Sequence, residues 1–324
     1  MTRLTNSLFG FSPPISSQSY KYIWAQKLLS DYGMKQGCPS KAVKCREAGR
    51  IIRVGRFYRK SDRKWIKRFK CTHCQKHFSQ ATNQPAYNQN KRHINYAVGQ
   101  MLVSGVSLRR IALLLKVHPI TVARKLKFLA LQARVKNLND RLKINAVEKM
   151  QFDDLETFEH TKLKPLSITL AVEKHSRLIL GAEVSRMPAK GLLAKKSLKK
   201  YGPRSDERAS GRDRLFRRIQ RTVSPRALIE SDKNPHYPTD VRRYFPQCEH
   251  RTVEGQRGCV TGQGELKKVG FDPLFSLNHT CAMLRANINR LFRKTWCTTK
   301  KIQGLIDHLE IYIYFHNRIL IEKP

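Results

Sequence analysis

Two apolar runs in this chain end on aspartate, a residue poorly suited to the strands they suggest. KMQFDD (149–154) ends on Asp153 and Asp154, and ALIESD (227–232) ends on Asp232. Carboxylates at the ends of neighbouring strands converge on divalent cations. Two such cations roughly 4 Å apart activate an attacking oxygen and stabilise a leaving one in phosphodiester transfer. Magnesium takes hard oxygen ligands and keeps several waters, so two or three protein oxygens suffice. Asp153 and Asp232 are therefore expected to hold Mg²⁺ or Mn²⁺. Asp154 and Glu156 are assigned a supporting or nucleic-acid-facing role, and Glu230 lies on the same side of its strand as Asp232. The competing readings are structural: Asp232 caps the turn that follows, and Asp154 pairs with a nearby Lys or Arg.

A second chemistry is carried by sulfur. CPSKAVKC (38–45) and CTHC (71–74) supply two cysteine pairs separated by a basic segment with strand-like alternation. Paired thiolates on short loops suit one tetrahedral Zn²⁺. Six residues separate Cys38 from Cys45, so that knuckle is expected to be irregular. Cys38, Cys45, Cys71 and Cys74 form the expected ligand set, with His73 or His77 replacing Cys45 as the alternative. So small and charged a segment buries too little apolar surface to fold without a metal. Cys248, Cys259, Cys281 and Cys297 lack paired spacing and read as ordinary thiols. No secretory signal or long apolar span is recognisable, which points to a reducing cytoplasm and no membrane partner.

The charge balance says what these sites would act on. Among 324 residues, 64 Lys and Arg stand against 24 Asp and Glu, a formal net charge of +40. Such a chain repels itself unless it meets a polyanion, and nucleic acid is the leading partner. Only Asp31, Glu47, Asp62 and Asp140 fall within the first 140 residues. The front thus reads as a DNA-binding arm and the back as the part that keeps carboxylates for chemistry.

The elements that must position these residues follow from periodicity. Residues 1–37 read as a tail with a short helix, 38–85 as a zinc ribbon, and 90–140 as a helical DNA-binding domain. In the last, Gly105 ends one helix, Ser107 caps the next, and Pro119 opens a third over 119–129. Val122, Leu126 and Leu129 share its inner face, leaving Thr121, Arg124 and Lys125 outward as in a helix-turn-helix recognition helix. From 145 to 324 three strands (VEKMQFDD, LSITLAVEK, LILGAEVSR) precede a basic insert at about 187–222. A strand (ALIESD), a helix (TDVRRYF), a possible fifth strand (HRTVEG), a Gly-rich loop and two closing helices follow. That order is the order of a ribonuclease H-like mixed sheet, and the expected class is α/β multidomain. Trp296 reads as a core anchor.

Taken together, RFKCTHCQKHFSQAT, the helix-turn-helix, FDDLETFEH, LIESDKNPHY and NHTCAMLRANINRLFRKTWCTTKK resemble bacterial insertion-sequence transposases of the small DDE families with an N-terminal ribbon. The resemblance spans about residues 38–317. It implies metal-dependent DNA cleavage and strand transfer after recognition of terminal inverted repeats. It also implies a homo-oligomer on DNA and a nucleoid-associated, cytoplasmic setting. The family's first two aspartates fall on Asp153 and Asp232. The family places a Glu on the helix after the last strand, seven residues before a Lys or Arg; counting back from Arg285 reaches Asn278. Asn278 then supplies a neutral oxygen, with Glu265, Glu254 or His279 as alternatives and simple helix capping as the plain reading. Arg285, Arg293 and Lys294 are expected on phosphates. The missing Glu sustains a second possibility, a DNA-binding regulator derived from such an enzyme but without catalysis.

Overall fold

The computed structural model describes residues 38–40, 45 and 50–321, except 62, 83, 145, 255–271, 293 and 294. The expected N-terminal helix, Cys259, Glu265, Arg293 and Lys294 lie outside the described residues.

A small antiparallel sheet comes first, in the order β1 (Ile51–Arg59), β2 (Lys64–Cys71), β3 (His77–Ser79). Its interior holds little beyond Cys38, Cys45 and Cys71 with Phe69 and Phe78. Nearly every side chain of β1 is exposed.

Three helices follow: α1 (Asn95–Leu102), α2 (Leu108–Leu114) and α3 (Pro119–Arg141). The expected punctuation is in place. Gly105 adopts φ +74°, and a β-carbon placed on it would lie 3.0 Å from the Phe292 ring and 3.3 Å from the Ala286 carbonyl oxygen. Ser107 Oγ accepts from the Arg110 N–H at 3.3 Å, satisfying a first-turn donor. His118 Nδ1 does the same for the Ile120 N–H at 3.2 Å, and Pro119 takes the first helical position. Val122, Leu126 and Leu129 are buried as expected, but α3 continues to Arg141, well past residue 129.

The outward placement expected for Lys125 is corrected. Its side chain is buried, and Nζ donates to Gln89 Oε1 (2.7 Å) and the Asn90 carbonyl (2.8 Å). Burial, with Arg92 nearby, pulls its pKa down to about 8. The segment before α1 folds over this position, so Lys125 ties that segment down.

The larger sheet has five strands in the order β6-β5-β4-β7-β8: β4 (Val147–Phe158), β5 (Pro165–Glu173), β6 (Ile179–Arg186), β7 (Val223–Asp232) and β8 (Glu249–Val253). Strands β4, β5 and β6 form an antiparallel meander, while β7 and β8 run parallel to β4. Parallel neighbours need crossovers. Between β6 and β7 lie α4 (Leu193–Tyr201) and α5 (Arg208–Ile219), and between β7 and β8 lies α6 (Tyr237–Tyr244). The segment read as a basic insert therefore contains a crossover helix: Leu215, Phe216 and Ile219 of α5 are buried with Met150 and Phe152 of β4. Finally α7 (Phe275–Asn287) and α8 (Ile302–Phe315) close the chain.

A single apolar cluster joins α1, α2 and α3 to β5, α7 and α8. His308 of α8, fully buried, contacts the Leu102 carbonyl at 2.8 Å, and Asn137 of α3 donates to the Glu310 carbonyl at 3.0 Å. The helices of the front and the sheet behind them thus share one core. Among the described residues, no helix is long and apolar enough to cross a membrane.

Candidate metal and nucleic-acid sites

The four thiols converge. The sulfurs of Cys38, Cys45, Cys71 and Cys74 all lie within 4.8 Å of one another, and no pair is joined as a disulfide. Cys38 Sγ and Cys74 Sγ stand 3.4 Å apart. A tetrahedron with metal–sulfur bonds of about 2.3 Å has edges of about 3.8 Å, so the spacing fits a thiolate-bound ion such as zinc. Exposed His73 and His77 are not in the cluster, so Cys45 keeps its place in the ligand set. The thiols are not equivalent. Burial pushes Cys38 up to about 12 and raises Cys45, whereas the Lys76 backbone N–H, outweighing burial, brings Cys74 down to about 7. A bound cation favours the thiolate form of all four.

On the larger sheet, β4 and β7 place two aspartates side by side. Gln151 pairs with Glu230 in the parallel ladder, and Asp153 and Asp232 each stand two residues further on. Asp232 is the last residue of β7, as expected, but Asp153 does not end its strand. Pairing of β4 with β5 continues to Phe158 opposite Pro165, because the meander hairpin outlasts the parallel ladder. Burial, with Asp232 as a like-charged neighbour, pushes Asp153 up to about 6. Two hydrogen bonds to Oδ1 work the other way, from the Asp154 N–H (2.6 Å) and the Tyr237 hydroxyl (3.1 Å).

Tyr237 and Arg212 have no place in the sequence reading. Tyr237 is fully buried against Phe152, with ring centroids 4.7 Å apart. Burial first, then Asp154, Asp153 and Asp232, raises its pKa, so the phenol stays a donor to Asp153. Arg212 of α5 is buried, pairs with Asp154 (3.3 Å) and Asp240, and lies 5.3 Å over the Tyr237 ring. Thr169 also donates to Asp154. Asp154 is thus held structurally, by an arginine as the alternative foresaw. The available signal was the tyrosine closing the tight turn SDKNPHY, five residues after Asp232.

Behind the aspartates lies a buried polar cluster. Gln151 Nε2 donates to Glu230 Oε2 (2.8 Å) and the Pro273 carbonyl (2.7 Å), while its Oε1 accepts the Leu277 N–H (3.1 Å). Lys174 Nζ completes Glu230 at 2.8 Å. The Leu277 N–H belongs to the first turn of α7, where no intrahelical acceptor exists. A strand side chain therefore caps this helix and fixes its entry beside the aspartates. Replacing Gln151 by leucine leaves several buried partners unsatisfied and is expected to cost about 2–4 kcal/mol. Urea unfolding of the full chain measures it, and an unchanged midpoint would show that the cluster contributes nothing.

Asn278 lies within α7, which begins at Phe275, and its own N–H bonds to the Leu274 carbonyl, so it does not cap the helix. Asp272 stands just before the helix: its Oδ1 accepts the Leu274 N–H at 3.0 Å, and its Oδ2 accepts the exposed Asn278 carboxamide at 2.9 Å. Asp272, unremarked in the sequence, is the acid that stands at this helix end. One turn on, burial and Asp153 push Cys281 up to about 12, and the Gln151 bond to the Leu277 N–H holds α7 against β4. Among the described residues, only the cysteine cluster brings three or more Cys, His, Asp or Glu ligand atoms within 4.8 Å of one another. His279 meets Arg177 at 3.2 Å, and Glu254 is exposed and pairs with Lys233 at 3.1 Å.

Of the expected nucleic-acid contacts, Arg124 is exposed and Thr121 and Arg285 are half-buried. Trp296 is corrected: it is 77% exposed on a short 3₁₀ turn whose neighbour Thr298 takes the inward position. Comparison with protein families and with characterised proteins finds no family model that matches the chain and no characterised protein similar to it.

Proposed function

We propose that this protein is a DDE-type transposase: it binds the ends of its own insertion sequence and cleaves and transfers DNA strands with Mg²⁺ or Mn²⁺. The observation that carries the reading is that Asp153 and Asp232 each stand two residues beyond the paired Gln151 and Glu230, on adjacent parallel strands of the sheet. The mixed sheet, with the meander on one side and two parallel strands on the other, supports the ribonuclease H-like reading we propose. The donor set suits a hard divalent cation, because burial and the neighbouring Asp232 charge raise the proton affinity of Asp153 until a positive charge compensates them. A cation held there supplies activation of the attacking oxygen and stabilisation of the leaving one. The protein's own part is positioning: Tyr237 fixes the Asp153 carboxylate, Arg212 holds Asp154 and packs on Tyr237, and Gln151 sets α7 beside them. Zinc in the cysteine cluster belongs to the fold of the ribbon.

Cleavage of a duplex carrying the element's terminal repeats, assayed against Mg²⁺ and Mn²⁺, tests the reading. DNA binding with no cleavage under either metal would favour the second one, a DNA-binding regulator without catalysis. A specific observation keeps that alternative in view: Asn278, at the family's Glu position, has its carboxamide engaged by Asp272.

Division of labour on DNA is expected as well. Arg124→Ala should lower the preference for terminal repeats over random duplex, whereas Arg285→Ala should weaken both alike and lessen the salt dependence by about one phosphate contact. Competition binding at several salt concentrations separates the two, and equal loss of specificity from both variants would contradict the assignment.

A further inference from the structure

We propose that the tip of the β1–β2 hairpin is a stacking platform for the unpaired bases of a single-stranded polynucleotide. Across this hairpin Tyr58 pairs with Trp65 and Arg56 with Lys67, and positions two apart on a strand share a face. Arg56, Tyr58, Trp65 and Lys67 therefore form one four-residue patch. Trp65 is 58% exposed and Tyr58 46%, with ring centroids 5.5 Å apart and planes inclined by 59°. The Arg56 guanidinium lies 4.7 Å over the Trp65 ring. The ribbon does not need these rings, because its interior is built from the cysteines, Phe69 and Phe78.

The surroundings name the partner. Residues 50–71 carry ten Lys and Arg and a single acid, Asp62. A strongly basic hairpin attracts a phosphate backbone, and exposed aromatic faces between the cations add what phosphates cannot use, a surface for the flat face of a base. In a duplex those faces are covered by neighbouring base pairs, so a duplex meets the cations alone. An unpaired strand meets both. The inference is independent of the cleavage reading, since it uses neither Asp153 nor Asp232.

The test is fluorescence anisotropy with the full-length, zinc-loaded protein and a labelled oligo-dT of about 12 nucleotides, within the usual site size of such surfaces. A duplex of equal length and an oligo-U are run beside it at matched salt. Trp65→Ala is expected to weaken oligo-dT binding about ten-fold, the loss of one stacked base, and to leave duplex binding within about two-fold. Trp65→Phe should restore most of the loss. Lys67→Ala should weaken single strand and duplex together and reduce the salt dependence of both. Tyr58→Ala provides a second aromatic variant, and zinc content equal to wild type verifies that each variant keeps its ribbon. Oligo-U binding with the same Trp65 dependence supports the shared base chemistry, and a preference for one sugar identifies the natural strand. Equal loss on duplex and single strand in Trp65→Ala, or no rescue by phenylalanine, would overturn the proposal. So would polyglutamate binding as tight as oligo-dT with the same Trp65 dependence, which would assign the patch to an acidic protein. All these affinities are read without cleavage, so a failure of the cleavage reading is distinguishable from a failure here.

Discussion

Alanine at Asp153 or Asp232 is expected to reduce metal-dependent cleavage of a terminal-repeat duplex to background, with DNA affinity changed by no more than about two-fold. The asymmetry comes from where the charges lie. On the proposed function, affinity for DNA would rest on the basic residues of a chain of net charge +40, and removing one carboxylate would not weaken it. The pair on adjacent strands is different, because the Asp232 charge is close enough to raise the proton affinity of Asp153, and Asp154 beside them is already engaged by Arg212. Cleavage and gel-shift assays on the same preparations measure both quantities. Activity surviving either substitution would remove the aspartates from the reaction. Asn278 defines the finer test. Asn278→Ala should impair cleavage and be partly rescued by Mn²⁺, and Asn278→Glu should lower the Mg²⁺ concentration required. Activity indifferent to Asn278→Ala but lost in Glu265→Ala would transfer the third oxygen to the loop.

Loss of the metal from the cysteine cluster is the second large effect. The purified protein should contain about one equivalent of zinc, and Cys71→Ser should unfold the ribbon while the rest of the chain stays folded. Structural zinc contributes roughly 10–16 kcal/mol of apparent binding energy at neutral pH. Apart from thiols, the ribbon's buried apolar side chains are few, Phe69 and Phe78 foremost. That is far too little to hold a three-stranded sheet whose first strand is almost wholly exposed. The five-stranded sheet has cores of its own and does not depend on the cluster. Metal analysis and limited proteolysis after chelation check this. A zinc-free protein whose residues 50–80 still resist protease would refute it.

What the sequence made legible was local. Ser107, Pro119, the paired cysteines and the aspartates after apolar runs each announce themselves through backbone or ligand chemistry within a few residues. What stayed hidden depended on distant partners. Lys125 occupies a helix position that periodicity alone leaves outward, and only the packing of residues 89 and 90 across it turns it into a buried donor. Arginine density obscured the buried face of Leu215, Phe216 and Ile219, so the crossover helix read only as a basic, partly helical or mobile insert. Arg212 carries no motif, and Tyr237 closes LIESDKNPHY without announcing its partner; their roles arise because α5 and α6 both descend on the face behind β4. Asp272 went unnoticed because helix α7 begins three residues earlier than the Asn278 start that its sequence suggests.

The 23-residue helix α3 is about 34 Å long and serves two neighbourhoods at once. Its first turns carry Arg124, while its last turns are bonded to α8 through Asn137 and Glu310 and paired to Arg318 through Asp140. The start of α3, fused in this way to the frame that carries the aspartates, cannot swing on a tether. On the proposed function it works as a caliper, with the distance from the recognised sequence to the cut set by the protein rather than by the DNA. Each base pair inserted between them moves the bond by about 3.4 Å along the axis, and about five carry it to the far side of the duplex. Elements served by this protein would therefore keep that spacing constant while the sequence within it drifts.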